Sequence, residues 1–196
     1  MLVDPVLYRR MAKYNSWMTE KVYAAADLMS DEDRKADRGA FFRSVHSTLN
    51  HILFADRAWM GRFTGRKYEI KGMGVDLFEN FDELKAAHFD MCLQISDFAE
   101  WLTIDWLAED LEWTSGQDGI PRSRPRWMLV THMFNHQTHH RGHHRADLCG
   151  LQPCDLAHDH AALPDELGQP TGGPLLSVHA EDQPTPLRQT LKAEEA

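Results

Sequence analysis

The sequence predicts an all-α protein, a four-helix bundle followed by an irregular C-terminal tail. Three observations carry that expectation. Four segments repeat apolar residues at spacings of three and four. The joins between them are long and rich in glycine, proline and charge. Alternating strand patterns are weak throughout. At 196 residues the chain suits one domain with a tail, here 1–165 and 166–196.

The first helix is expected from about Pro5 to Leu28, with Leu7, Met11, Tyr14, Met18, Val22 and Ala25 on one face. Pro5 suits a first helical turn and Asp4 can cap it. After the polar connector "SDEDRKADRG", the second runs from about Phe41 to Phe63, its apolar side marked by Phe42, Val45, Leu49, Ile52, Trp59 and Phe63. The stretch "TGRKYEIKGMGVDLFENF" reads as a long loop. The third helix is expected from about Asp82 to Leu107, on Leu84, Ala87, Met91, Ile95, Phe98 and Leu102. The segment "EWTSGQDGIPRSRP" breaks the pattern, and Arg122, Arg124 and Arg126 read as a solvated loop. The fourth helix runs from about Arg126 to Cys149, with Gly150 as its C-terminal cap. The remainder is rich in proline, glycine and charge and predicts loose packing.

Composition narrows the function. A hydrophobic share of 42% and a charged share of 26% are those of a globular domain with a packed core. A net charge of -9 disfavours a nucleic-acid binder working through phosphate contacts. No apolar run is long enough to cross a membrane, and the N-terminal stretch reads as neither signal nor anchor. Three cysteines, Cys92, Cys149 and Cys154, form no Cys-x-x-Cys pair, which fits reduced thiols and a cytoplasmic location.

The richest chemistry lies in "THMFNHQTHHRGHHRADL", with six histidines in thirteen positions from His132 to His144. On a helix, residues four apart share a face. His132, His136, His140 and His144 form one stripe, and His139 and His143 a neighbouring one. An i, i+4 pair can place two imidazole nitrogens on one ion. Spacing alone admits the pairs 132/136, 136/140, 140/144 and 139/143. The competing reading is a polar helix face. Against it, the tract lies within an apolar pattern, so one histidine face should look into the bundle, where buried imidazoles need partners. A third ligand is best supplied by His51, mid-helix beside Leu49 and Ile52, with His46 and His88 weaker candidates. Glu-x-x-His pairs, His-Glu-x-x-His, Gly-x-Ser-x-Gly and phosphate-binding glycine loops are all absent, which leaves metal chemistry in front.

These residues resemble a family. "KYNSWMTEKVYAAADLMSDEDRKADRGAFFRSVHSTLNHILFADRAWMGRFTG" followed by "HMFNHQTHHRGHH" is similar to the DinB-like (DinB/YfiT) superfamily of bacterial damage-inducible proteins, over roughly residues 5 to 165. The most specific pieces are Asn50-His51 with Ala55-Asp56, and Asn135-His136 through His140-Arg141-Gly142. The resemblance implies a four-helix bundle, homodimer formation and a divalent metal held by one histidine on the second helix and two on the fourth, here His51, His136 and His140. His139 then falls off the ligand face. Where the family commonly has Gln, this chain has His143, and Thr19 stands where Asn is usual.

Substrate contacts are assigned to Arg141, His143 and Trp17. Arg141 can hold an anionic substrate or bridge subunits. Asp56 can orient a histidine, but five residues from His51 is a poor match for the same face, and an interhelical pair with an arginine is the better reading. Some relatives use a low-molecular-weight thiol such as bacillithiol, mycothiol or glutathione. The expected activity is therefore transfer of such a thiol to an electrophile, ahead of metal-dependent hydrolysis or a non-catalytic metal-binding dimer. Three imidazoles suit Zn, Ni, Cu or Fe, and Mn less well. Ligand protonation predicts that metal is lost as pH falls through about 6.5 or lower.

Overall fold

The structure, a computed structural model, describes residues 3–116 and 118–149, with 143–149 as backbone alone. The expected tail, the end of the expected domain and the Gly150 cap lie outside the described residues. Four long helices form the bundle: α1 (Pro5–Asp27), α3 (Val45–Thr64), α4 (Phe81–Trp101) and α6 (Arg126–Cys149). Two single-turn helices, α2 (Asp31–Lys35) and α5 (Ile104–Ala108), and a short hairpin, β1 (Asp110–Thr114) with β2 (Pro121–Pro125), fill the joins. α1 packs against α4 and α6, and α3 packs against the same two. α1 and α3 therefore sit diagonally across a common core.

Local chemistry sets the helix limits. The Asp4 side chain accepts from Val6 N ahead of Pro5. Ser44 caps α3 by accepting from Ser47 N at 3.0 Å, so α3 begins at Val45 and not at Phe41. Gly65 closes it at φ 72°, a conformation cheap only for glycine. Asn80 caps α4 through Asp82 N and Glu83 N. The expected third helix is broken after Trp101: Leu102 turns extended, and Thr103 caps α5. The hairpin corrects the expectation of an unpaired loop. Trp113 faces Arg122 across it, and Arg124 faces Leu111. Alternation is hidden there because β2 reads Pro-Arg-Ser-Arg-Pro, with prolines at both ends.

The core is apolar at Tyr8, Met18, Leu49, Ile52, Leu53, Leu84, Met91, Ile95 and Phe98, each at most 2% exposed. The buried face of α1 differs from the expected one. Leu7 is exposed, whereas Asn15 and Thr19 are inside. The polar residues are inside because a buried polar cluster spans all four long helices. Gln137 Nε2 donates to Asp56 Oδ1 at 2.8 Å, and His88 Nε2 lies 3.9 Å from Asp56 Oδ2. The His88 Nδ1 is 2.9 Å from the Tyr23 hydroxyl. Arg141 donates to Asn15 Oδ1, and Asn15 Nδ2 donates to Cys92 Sγ at 3.6 Å. Burial pushes the Asp56 carboxyl up to about 7 and the Cys92 thiol up to about 11, and it pushes His88 down to about 3. Arg141 lies close enough to oppose part of the Asp56 shift.

A second polar contact anchors α3 to the loop before α4. Asn50 Nδ2 donates to the carbonyls of His46 and Phe78 at 3.1 and 3.0 Å, and Asn50 Oδ1 accepts from Phe78 N at 2.9 Å. The His46 Nε2 also donates to the Phe78 carbonyl at 2.9 Å. Asn50→Ala strands these groups and is expected to cost about 2–3 kcal/mol. Chemical denaturation should show this as a lowered midpoint with unchanged slope; a loss below about 0.5 kcal/mol would contradict the assigned role.

Candidate metal centre

α3 presents His51 and α6 presents His136 and His140 one turn apart, toward a common point. Each offers one nitrogen, and the three nitrogens lie within 4.8 Å of one another. His51 Nε2 is 3.2 Å from His136 Nε2. Tetrahedral zinc with bonds of about 2.0–2.1 Å separates its nitrogens by about 3.3 Å. The ring centroids stand 5.1, 4.6 and 4.3 Å apart for 51/136, 51/140 and 136/140. Among the described residues, 136/140 is the pair that meets His51.

Electrostatics favours the state a metal needs. Burial pushes His51 down to about 4. Burial, reinforced by repulsion from His140, His51, His132 and His139, pushes His136 down to about 3. Both rings are neutral at physiological pH, with a nitrogen lone pair to donate. The buried Nδ1 atoms of His51 and His136 have no hydrogen-bond partner among the described residues. Asp56 does not orient them, because it faces Gln137 in the core. A divalent ion fits this donor set: the three imidazoles supply neutral nitrogen ligands, and no carboxylate joins the cluster among the described residues.

The rings are held by aromatic neighbours. Phe42 stacks on His51 with centroids 3.8 Å apart and planes 21° apart, and meets His140 edge-on at 5.5 Å. Phe54 lies 6.2 Å from His51 on α3 itself. Phe42 was expected on the apolar face of the helix. It instead precedes the Ser44 cap, in a turn where Ser44 N bonds the Phe42 carbonyl and Arg43 adopts φ 66°. Helical periodicity could not place it beside the site; the signal available was an aromatic pair, Phe41 and Phe42, one residue short of a capping serine.

The other histidines are distributed around this centre. His132 is exposed, 5.4 Å from the Trp59 ring and 6.1 Å from His136. His139 is exposed, with its ring 5.0 Å from His140. His46 and His88 are buried and bonded to Phe78 and Tyr23, outside the triad. Of the expected substrate contacts, Arg141 and Trp17 both border Tyr14 on α1. Arg141 is 4% exposed and reaches Asn15 in the core, with its guanidinium 6.0 Å from the Tyr14 ring. Trp17 packs against Tyr14 and carries the Lys21 ammonium 4.5 Å above its ring. The His143 side chain lies outside the described residues. Thr19 is buried on α1 and hydrogen-bonds toward Cys92.

A four-helix bundle with three converging histidines defines a class of metal-site scaffold. The chain belongs to the DinB family, whose model matches residues 2–149. In fold it is similar to the crystal structure of a DinB-like protein from Bacillus cereus, at a TM-score of 0.52 and 18% identity over 74% of this chain and 93% of that one. No curated protein matches it. Among the described residues no helix is long and apolar enough to cross a membrane.

The lowered histidine values shift the expected acid limit of metal binding. Protons compete for His51 and His136 only as pH approaches about 4, so their share of the loss of apparent metal affinity should appear only below about pH 5. A chelator-competition titration across this range checks it. A fall of two protons per metal centred at 6.5 or above would contradict the neutral His51 and His136.

Proposed function

We propose that this DinB-family protein binds a divalent metal through His51, His136 and His140, and uses it to transfer a low-molecular-weight thiol to an electrophile. The observation that carries the reading is the convergence of the three imidazoles, from two helices, within 4.8 Å. When bound, a divalent ion supplies positive charge that acidifies a coordinated thiol toward its thiolate. Zinc, nickel and iron suit the donor set better than manganese does.

The remaining roles belong to the chain's own residues. His51, His136 and His140 would hold the ion, and burial keeps His51 and His136 unprotonated. Phe42 and Phe54 wall the His51 side with apolar surface, limiting the water that reaches it. The thiol would release its proton to solvent water, its sulfur would form a bond to the electrophilic carbon, and the leaving group would depart with the electron pair of the bond it breaks. Hydrolysis is the second choice because it needs a positioned base. The nearby carboxylate on α3, Asp56, is buried and turned toward Gln137. Homodimer formation belongs to the same reading on the family resemblance, with Val6, Leu7 and Leu93 exposed on α1 and α4. A cytoplasmic location fits the reduced Cys92 thiol.

Elemental mass spectrometry on untagged protein tests the metal reading. Wild type should carry about one metal per chain, and His51→Ala should lose it while keeping its helical circular dichroism. His51 is the informative position because it lies far in sequence from the histidine-rich tract, which can bind metal on its own account. Equal metal in both proteins would contradict the triad. With metal confirmed, loss of free thiol in the presence of an alkylating electrophile should be fast in wild type and at background in His51→Ala; background rates in both would leave a metal-binding protein without transferase activity.

A further inference from the structure

The three ligands sit on two helices, so their convergence depends on how α3 and α6 are rotated about their axes. A rotation of ~10° moves a nitrogen ~7 Å from a helix axis by about 1.2 Å. Metal–nitrogen distances tolerate about 0.2 Å. Apolar packing between long helices is too permissive to hold that tolerance alone, because neighbouring rotations bury similar area. A directional contact between the same two helices would hold it, and the structure contains one.

Gln137 and Arg141 directly follow the ligands His136 and His140 on α6. One residue further round the helix, they leave the metal side and enter the core, where Gln137 is 0% and Arg141 4% exposed. On α3, Asp56 follows His51 by five residues, which likewise turns it away from the ligand face, and it is 1% exposed. Gln137 Nε2 donates to Asp56 Oδ1 at 2.8 Å, directly tying the ligand-bearing helices. Arg141 brings a positive charge toward the same carboxylate and is held by Asn15 on α1. His88 on α4 approaches the other oxygen, with its Nε2 3.9 Å from Asp56 Oδ2.

We propose that Asp56 is a positioning residue for the three-histidine site, setting through Gln137 the rotation of α6 against α3 that makes His136 and His140 converge on His51. The inference rests on the metal-centre reading. It assigns Asp56 no contact with the metal and no proton transfer. It also accounts for the polar residue at each position after a ligand on α6: the metal stripe and the locking stripe are adjacent faces of one helix.

Cobalt(II) is the probe, because its visible absorption reports ligand geometry as well as occupancy. Asp56→Asn keeps an oxygen facing Gln137 and should bind cobalt within about 3-fold of wild type, with the same spectrum. Asp56→Leu and Gln137→Met break the link from either side, and each should weaken cobalt binding by about 10–100-fold with a shifted spectrum. Leu84→Ala, a buried α4 position outside the link, should lower the melting temperature yet keep the cobalt Kd within about 2-fold and its spectrum unchanged. Should Asp56→Leu fail to fold, Gln137→Met reads the same contact. Wild-type affinity and spectrum in Gln137→Met, or an equal change in Leu84→Ala, would overturn the positioning role and leave the metal centre standing. Absence of cobalt binding in wild type would remove the metal centre, and the positioning role with it.

Discussion

The burial of Asp56, Gln137 and Arg141 in one core cluster is the constraint on which the rest of this structure depends. An arginine in a bundle core is costly unless its charge and donors are met. Here one donor bonds Asn15 on α1, and the Asp56 carboxylate on α3 lies close enough to interact with the charge, while His88 on α4 stands 3.9 Å from that carboxylate. The cluster fixes which face of α6 is inside. Once Gln137 and Arg141 point inward, the helical period leaves His136 and His140 at the α3 boundary, where His51 meets them. The polar core and the histidine triad are thus two consequences of one helix orientation.

The triad is built for neutrality. Burial of His51 and His136, and their mutual repulsion with His140, hold them far below the ordinary histidine range. In the absence of a metal such a cluster is an expense, because buried ring nitrogens lack the hydrogen bonds they would have in water. A divalent ion at the facing Nε2 atoms of His51 and His136 would add ligand bonds on the other side of each ring. The stacking of Phe42 on His51 adds shape without adding a proton donor or acceptor. The outcome is an apolar wall beside a neutral donor set, which suits activation of a soft nucleophile better than assisted attack by water.

Much of the bundle was legible because apolar periodicity dominates α3 and α4, where Leu49, Ile52, Leu84, Met91, Ile95 and Phe98 are all buried as spacing predicts. α1 was legible as a helix but not in its facing: Asn15 and Thr19 are inside through partners on other helices, which no local pattern reveals. The hairpin was hidden by prolines at the ends of β2. In the site, spacing exposed the histidine stripe and offered His51, but the choice among four pairs required the family resemblance, since convergence of α3 and α6 is a tertiary fact. Asp56 was read toward an arginine; its direct hydrogen bond is to Gln137, a residue that carried no signal beyond following a ligand. Phe42 was invisible as a site residue because the Ser44 cap moves it out of the helix.

The most direct test is X-ray absorption at the edge of the metal carried by the untagged protein. The structure predicts a first shell with three imidazole nitrogens at about 2.0–2.1 Å for zinc, completed by light exchangeable ligands. Four or more imidazoles would show that His132, His139, His143 or His144 take part, and a shell of oxygen or sulfur would show that the metal sits elsewhere. Either result would contradict a centre made by His51, His136 and His140.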